Sequence, residues 1–424
     1  MLLGVLVATA CGPCSALRRD FDERWRYELQ QLALGDRVDV GGQEHATLRV
    51  SPEALRAISN ITLRDAEVFT RSITVHVPSE AWDRAGNIYL ELEIRADQVS
   101  SGDRLAYYGT HDVELRLSIL AQARFEIPGK RARWTWSSSA AVRVPAQIDD
   151  GDGESVMISF SEAELITIDA RLPWTAEEVP DAVGDIIYNG IAASIDAVLM
   201  ENQSARFPLV RVADLELSRV SLPVRVSALR IEPQSGVMEL GLSTALRPER
   251  RPASRASAPA VPLSDDEIGL WVPVETLDAA VRQQSLRGAT PTTITIGEND
   301  EDRWVALWSP STLASGVWTG TWELWCLETS SCRRTSLPAE ARAWAVEGRL
   351  ITARDPIPAR FGDEGAPGTA GLASLAELQR STLSELPTSI ARWLSQLRQD
   401  LDLDAEMRSV TLDEGALYTV FRLR

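Results

Sequence analysis

The chain has 424 residues and a formal net charge of −18, from 43 lysines and arginines against 61 aspartates and glutamates. This length is enough for two domains that each bury a core, and the composition is that of a globular protein rather than a disordered one. A field of this sign repels phosphate groups, so we expect no nucleic-acid partner and no unaided binding to an anionic membrane surface. We expect a monomer.

The amino terminus predicts export. Residues Met1–Ala10 are apolar or small and lead directly into Cys11. This segment resembles the end of a bacterial lipoprotein signal, although no basic residue precedes it and Ala8 stands where Leu is usual. It predicts a leader and tether over residues 1–17, lipidation of Cys11, and a place in the cell envelope, facing the periplasm or the outer-membrane surface. The alternatives are a cleaved signal peptide with secretion, or a buried first strand or helix.

The first half reads as a helix followed by antiparallel strands. An apolar stripe at helical spacing predicts a helix over Arg18–Leu34. Apolar and polar residues then alternate, as in Thr70–Val77, which is typical of half-buried strands. From Asp181 to Glu201 the period changes to that of a helix with a broad apolar arc, and a meander of short strands follows up to Thr244.

A segment rich in Pro, Ala, Ser and Arg separates the halves. Its composition cannot build a core and predicts a linker over Arg247–Asp266, between domains at residues 18–246 and 267–424. The second half repeats the order of the first in a shorter form and ends with a helix over Leu372–Asp402 that Pro387 should bend. Its clustered tryptophans either fill a core or form an aromatic wall for an acyl chain, a face that meets lipid at a membrane interface, or a surface that stacks on sugars. They are Trp304, Trp308, Trp318, Trp322, Trp325 and Trp344.

Two cysteines stand close together in the second half. Five residues separate Cys326 from Cys332, and a tight turn between two strands would bring their side chains within bonding distance. Since an oxidising compartment would close such a bond, we expect a Cys326–Cys332 disulfide. No second cysteine pair or histidine cluster supplies further zinc ligands, so no metal site is expected.

One phrase of the sequence occurs twice. Leu48–Ile58 and Leu270–Ala280 match without a gap at five of eleven positions, and each reads as a short strand that breaks at a proline and enters an amphipathic helix. Ile231–Gly236 and Val410–Gly415 form a second pair, each a polar turn and a glycine before an alternating strand. Two ordered repeats indicate a chain built from two copies of one long unit.

The order of these elements resembles the tubular lipid-binding (TULIP) superfamily, in particular the bactericidal/permeability-increasing protein and lipid-transfer-protein family. The resemblance covers nearly all of the chain after the leader and rests on topology and the repeated phrase. It implies an α+β fold of two tandem barrels, each a highly curved antiparallel sheet wrapped around a long apolar helix. The chain departs from the family in being acidic, where lipopolysaccharide-binding members have a basic tip, and in its shorter second half.

The resemblance implies an apolar tunnel for acyl chains in each barrel, lined by the inner face of the long helix. The candidate tunnel-lining residues are Val183, Ile187, Ile191, Ile195 and Val198 in the first half and Leu383, Leu386, Ile390, Trp393 and Leu397 in the second. If only one tunnel is functional, we expect the first. The expected function is non-catalytic binding or transfer of a lipid or other amphiphile, without a cofactor, with the membrane reached through the N-terminal lipid anchor.

Catalysis has little support in the sequence. The three histidines, His45, His76 and His111, lie in no nucleophile or metal motif, so we expect no catalytic residue and no enzyme. Asp149–Glu154 could hold calcium, but its Asp-Gly pairs suit a hairpin turn better. The alternative functions are a structural or adhesion lipoprotein without ligand and an envelope glycan hydrolase with an unrecognised carboxylate pair.

Overall fold

The computed structural model describes residues 13–33, 43–63, 66–82, 85–101, 111–127, 130–151, 153–175, 178–217, 220–250, 252, 262–287, 293–296, 302–327, 332–353, 369–401, 405–413 and 415–423. Over these residues the architecture is mixed α+β, as expected, with six helices and four antiparallel sheets.

The helices are α1 (Pro13–Ala33), α2 (Pro52–Thr62), α3 (Ser79–Trp82), α4 (Asp181–Glu201), α5 (Val274–Leu286) and α6 (Thr369–Leu401). The strands of the first half are β1 (Ala46–Val50), β2 (Val68–Val77), β3 (Gly86–Ser100), β4 (Asp112–Ile127), β5 (Lys130–Ile148), β6 (Ser155–Ser159), β7 (Glu164–Asp169), β8 (Arg206–Arg211), β9 (Leu215–Leu217), β10 (Val220–Leu222), β11 (Val224–Ile231) and β12 (Met238–Thr244). Those of the second half are β13 (Glu267–Pro273), β14 (Thr293–Ile296), β15 (Asp302–Ala314), β16 (Val317–Leu327), β17 (Cys332–Val346), β18 (Arg349–Ala353), β19 (Ala405–Asp413) and β20 (Ala416–Leu423).

Each half has an antiparallel sheet of its own. In the first half β2, β3, β4, β5, β6 and β8 lie side by side in chain order, with β7 also paired to β5. In the second half β14 to β18 form a five-stranded sheet, again in chain order. Consecutive pairing of this kind follows from strands joined by short turns. The Asp149–Glu154 turn is one example, because β5 and β6 pair directly across it, as the hairpin interpretation predicted.

A third sheet is shared by the two halves. Its six strands lie in the order β11, β12, β1, β13, β20, β19, so that three come from each half. The repeated phrase forms a strand followed by a helix in both copies, as predicted: β1 leads into α2, and β13 leads into α5. These two strands pair with each other antiparallel, and Leu48 lies directly opposite Leu270. Equivalent residues thus face each other across the middle of the sheet, as a local twofold axis through this pair would place them.

The shared sheet is a feature that the expected architecture did not include. The expectation of two tandem barrels assigned the opening and closing strands of each copy to a barrel of its own. Instead, β12 pairs with both β11 and β1, and β1 pairs with β13 of the second half. None of the four sheets closes on itself within the described residues, so the two-barrel arrangement remains a prediction.

The apolar side chains form one large cluster in each half. In the first, α4 packs against the sheet that begins with β2, and Val183, Ile187, Ile191 and Ile195 are each 0% exposed. In the second, α5, α6 and the tryptophan-rich strands β15 and β16 pack together. The α4 helix is long and apolar enough to cross a membrane by length and composition. Its apolar face is the interior of the first-half cluster, which is the behaviour of a core helix.

The first helix lies on the second half of the molecule. Contacts of α1 are made with β16, β17 and α5, although it precedes every first-half strand in the sequence. Cys14 near its start forms a disulfide with Cys332 of β17, with a Cα–Cα distance of 5.1 Å. The covalent link therefore ties the N-terminal helix, which was predicted to belong to the first domain, to the far half.

The predicted Cys326–Cys332 disulfide is wrong, and the strand register explains why. Cys332 lies opposite Leu327, whereas Cys326 lies opposite Arg333. Because neighbouring side chains on a strand point to opposite faces, Cys326 and Cys332 lie on different sides of the sheet. Cys326 is fully buried in the second-half core, and Cys332 faces α1.

Candidate functional site

An apolar cleft opens at the junction of the two halves. Its empty volume is about 580 Å³, including the solvent space at its mouth. We call it the junction cleft and define it by its lining residues: Ala46, Leu48, Val212, Ala213, Asp214, Leu215, Val224, Leu242, Thr244, Leu270, Val272, Leu386, Ser389 and Ile390. Both halves contribute, because the floor is the shared sheet and one wall is α6.

Strand alternation places one apolar face of the shared sheet at the cleft floor. Leu48 and Leu270 are opposite each other, and in an antiparallel pair opposite residues share a face. Ala46 and Val272, two positions away on β1 and β13, belong to the same face. The repeated phrase therefore supplies the centre of the floor from both of its copies.

The wall and the mouth come from less regular segments. Leu386 and Ile390 are one helical turn apart on α6, so both face the cleft. The chain between β8 and β9 contributes Ala213 and Asp214, which are both exposed. Ser389 is half-buried and lies between the two wall residues in sequence. The cleft is thus apolar at the centre of its floor, and its polar lining residues are the buried Thr244, the half-buried Ser389 and the exposed Asp214.

Two of the three polar lining residues already have hydrogen-bond partners. Thr244 Oγ1 lies 3.0 Å from Nδ1 of His45 and accepts from the Leu246 amide. Ser389 Oγ donates to the Glu216 carbonyl at 3.3 Å. Asp214 is the only ionisable residue of the lining, and it takes part in none of the side-chain hydrogen bonds or ion pairs found in the described part of the chain.

The local twofold relation also defines an equivalent place on the other side of the Leu48–Leu270 pair, and larger side chains fill it. Ala46 lies opposite Leu242, while its counterpart in the second copy, Ile268, lies opposite Phe421. Ile268 and Phe421 are both 0% exposed and belong to the first-half cluster. A small pair on one side and a large pair on the other explain why the cleft is found on one side.

The candidate tunnel residues fall into three groups. Val183, Ile187, Ile191, Ile195 and Val198 on α4 are buried in the first-half core, and none of them lines the junction cleft. Leu386 and Ile390 line it, while Leu383 is buried in the second-half core. The side chains of Trp393 and Leu397, and all of Cys11, lie outside the described residues.

We expected the first tunnel to be the functional one if only one of the two is. The junction cleft does not test this prediction, because residues of both halves line it. The residues that sequence reasoning missed are those of its floor, such as Ala46, Leu242 and Leu270. A signal for them was present in the repeated phrase, since it contains both Leu48 and Leu270. It was interpreted as the start of two separate barrels because the sequence does not show which strands pair.

Four of the six clustered tryptophans, Trp304, Trp308, Trp318 and Trp322, fill the second-half core. Trp325 lies on the opposite face of β16 and packs against Phe21 of α1, with ring centroids 5.8 Å apart. Trp304, Trp308, Trp318, Trp322 and Trp325 are at most 6% exposed. Trp308 contacts both Trp318 and Trp322, with ring centroids 5.9 and 4.9 Å apart. None of these tryptophans lines the junction cleft. Trp344 differs, because it is 39% exposed on β17.

A buried carboxylate in the second half has a structural role. Asp278 on α5 accepts from the indole of Trp308 at 2.8 Å and from the amide and hydroxyl of Ser311 at 2.9 and 2.5 Å. Burial raises the pKa of Asp278 above its ordinary value, and the bonds from Ser311 and Trp308 oppose that rise. Its oxygens hold α5 to β15, which accounts for the carboxylate without catalysis.

A second buried group links α1 to α5 and the start of the linker. Arg282 lies 2.9 Å from Glu249 and 3.5 Å from Glu28, and Arg24 lies 3.0 Å from Glu28. Burial raises the pKa of Glu28, whereas the hydrogen bond and charge of Arg24 lower that of Glu249 against the effect of burial. Among the described residues no group of three or more His, Cys, Asp or Glu side chains is arranged to hold a metal ion.

Comparison with known proteins gives structural neighbours only. No family model matches the chain, and no curated protein matches its sequence. A lipopolysaccharide binding protein is 10% identical over 90% of this chain and 99% of its own, with a TM-score of 0.34. P47 of Clostridium botulinum E1 is 10% identical over 89% and 98%, with a TM-score of 0.32. At these scores neither likeness carries a conclusion about function, and membership in the tubular lipid-binding superfamily stays a prediction.

Proposed function

We propose that the protein binds the apolar chain of an amphiphile in the junction cleft and acts without covalent chemistry. The observation that supports this is the lining, which is apolar except for Asp214, Thr244 and Ser389. A concave apolar site with a few polar groups is typical of a small-molecule site. The exposed mouth would leave a polar head group in water while the chain lies against the floor.

Burial of apolar surface would drive the binding of a chain in this cleft. Each methylene moved from water to the cleft gains about 0.8 kcal/mol before the cost of association. No charged contact is needed for such binding. Release to a second membrane or carrier would make the same site a transfer site.

Cleft-filling variants test this proposal, and the chain itself suggests them. Ala46→Ile combined with Leu242→Phe gives the cleft the two residue types that fill the equivalent place. If they displace two methylenes of the ligand, affinity should fall about fifteen-fold. Ala182→Ile, at an exposed position on α4, is the matched control and should bind as the wild type does.

The measurement is binding of a fluorescent C16 fatty acid by the purified protein, with native mass spectrometry to detect lipid that co-purifies. The proposal predicts saturable binding with the loss described above in the double variant. Absence of binding, or binding that the folded double variant retains in full, would overturn it. Absence of binding would favour a structural lipoprotein without ligand, whereas binding retained by the double variant would mean that the ligand binds outside the junction cleft.

We also propose that the protein acts in the cell envelope, anchored through a lipidated Cys11. The Cys14–Cys332 disulfide supports an oxidising compartment. Three residues span at most about 11 Å, so a lipid on Cys11 would sit close to the end of β17 that carries Cys332. Metabolic labelling with an alkyne fatty acid tests this: label should enter the wild type and be lost in Cys11→Ser. Label retained in that variant would contradict the proposal.

A further inference from the structure

One carboxylate stands at the mouth of the junction cleft. Asp214 is exposed, lines the cleft, and lies in the segment between β8 and β9. The remaining lining is apolar or, at Thr244 and Ser389, already hydrogen-bonded within the protein. Among the described residues that line the cleft, Asp214 is therefore the only ionisable one.

The charges beside Asp214 do not neutralise it. The nearest charged residue along the chain, Glu216, pairs with Arg392 of α6 at 3.2 Å. Arg392 lies about one helical turn after the lining residue Ser389 on α6, and it is already paired with Glu216. Asp214 itself makes no ion pair within the described residues. Arg211 and Arg225, which adjoin the lining residues Val212 and Val224, both pair with Glu154, at 3.3 and 2.9 Å. Among the described residues that line the cleft, Asp214 is therefore the one carboxylate open to the charge of a ligand.

We propose that the amphiphile taken by the junction cleft has a cationic head group, a primary or quaternary ammonium, held by the carboxylate of Asp214. This rests on the proposed function, since the ammonium is placed by the chain that fills the cleft. The head group of an alkyl carboxylate or phosphate would bring a second negative charge next to the carboxylate of Asp214, and the two like charges would repel each other. An ammonium gains the opposite interaction at the same position.

The test compares three ligands that share one C16 chain: hexadecyltrimethylammonium, hexadecanol and palmitate. Each is used below its micelle concentration, as a competitor of the fluorescent fatty acid. The wild type should bind the ammonium most tightly and palmitate least. In Asp214→Asn the ammonium should bind about five-fold more weakly and palmitate about five-fold more tightly, as expected for one partly screened charge pair.

Two controls separate the site from the general field of the protein. Asp185→Asn removes the same charge from an exposed position on α4, outside the cleft, and should leave the order of the three ligands unchanged. Raising the salt to 0.5 M should narrow the preference in the wild type, because exposed charges are screened.

The outcomes distinguish the two proposals. Cleft-dependent binding of all three ligands with equal affinity, or an equal effect of Asp214→Asn and Asp185→Asn, would overturn the head-group preference and leave chain binding intact. Binding that is insensitive to Ala46→Ile with Leu242→Phe would instead overturn the proposed function. Tighter binding of palmitate than of the ammonium would also refute the role of Asp214.

Discussion

Gly320 on β16 lies against the ring of Trp308, which is buried in the second-half core. A Cβ added there would overlap Cη2 and Cζ2 of Trp308. Trp308 is 1% exposed, packs against Trp318 and Trp322, and donates its indole N–H to Asp278. Because the ring is enclosed on several sides, it cannot move away from a new methyl group without disturbing its neighbours.

The cost of Gly320→Ala has two parts. Overpacking a well-filled core costs about 1–3 kcal/mol. A displaced indole also weakens the bond to Asp278, which is worth about 1 kcal/mol or more because the acceptor is charged. We therefore expect the variant to lose about 2–4 kcal/mol of unfolding free energy, which is a large share of the stability of an ordinary domain.

Urea unfolding followed by tryptophan fluorescence measures this loss, and near-ultraviolet circular dichroism reports the packing of the tryptophans. The control is Gly184→Ala in α4, where the new Cβ would lie 3.3 Å from the tip of the Leu172 side chain. There the flexible neighbour can shift, and helix propensity favours alanine by about 1 kcal/mol. The reasoning is refuted if Gly320→Ala unfolds within 0.5 kcal/mol of the wild type, with an unchanged near-ultraviolet spectrum.

Three further predictions follow from single contacts. Since burial raises the pKa of Asp278, its contribution to stability is full below the unfolded pKa of about 4 and is lost as the pH rises through the folded value. The stability difference between the wild type and Asp278→Asn, measured from urea midpoints, should therefore increase as the pH is lowered from 7 to 4.5. A difference that stays constant over this range contradicts the reasoning. Non-reducing peptide mapping should recover a Cys14–Cys332 peptide, and Cys14→Ser should abolish it. Thermal melts should show that Gly236→Ala destabilises the protein more than Gly415→Ala does. Both glycines have positive φ, but only a Cβ at position 236 would meet a backbone carbonyl oxygen, that of Ser101, at 2.6 Å.

Local features of the fold were predictable where a single segment determines them. The helix over Asp181–Glu201 has the same bounds in the structure as in the prediction, because its apolar period is clear and Pro180 precedes it. The strand–helix phrase was likewise found in both copies. In each case the evidence lies within about twenty residues, and no knowledge of the neighbours is needed.

The features that were missed depend on register between distant strands. The wrong Cys326–Cys332 disulfide assumed that nearness in sequence implies nearness of side chains, whereas the register places Leu327 opposite Cys332. A shift of one residue reverses the face on which every side chain lies. The partner Cys14 is 318 residues from Cys332 in sequence, and no local pattern connects them.

The position of the junction cleft is a consequence of pairing between the two copies of the repeat. Because β1 and β13 meet at Leu48 and Leu270, the same apolar face continues from one half into the other, and two equivalent places arise on it. Side-chain volume then decides which of them stays open. Ile268 and Phe421 fill one, while Ala46 and Leu242 leave space at the other. Within the described residues, differences at a few positions between the two copies of the repeat therefore accompany a cleft on one side of the Leu48–Leu270 pair and a filled core on the other.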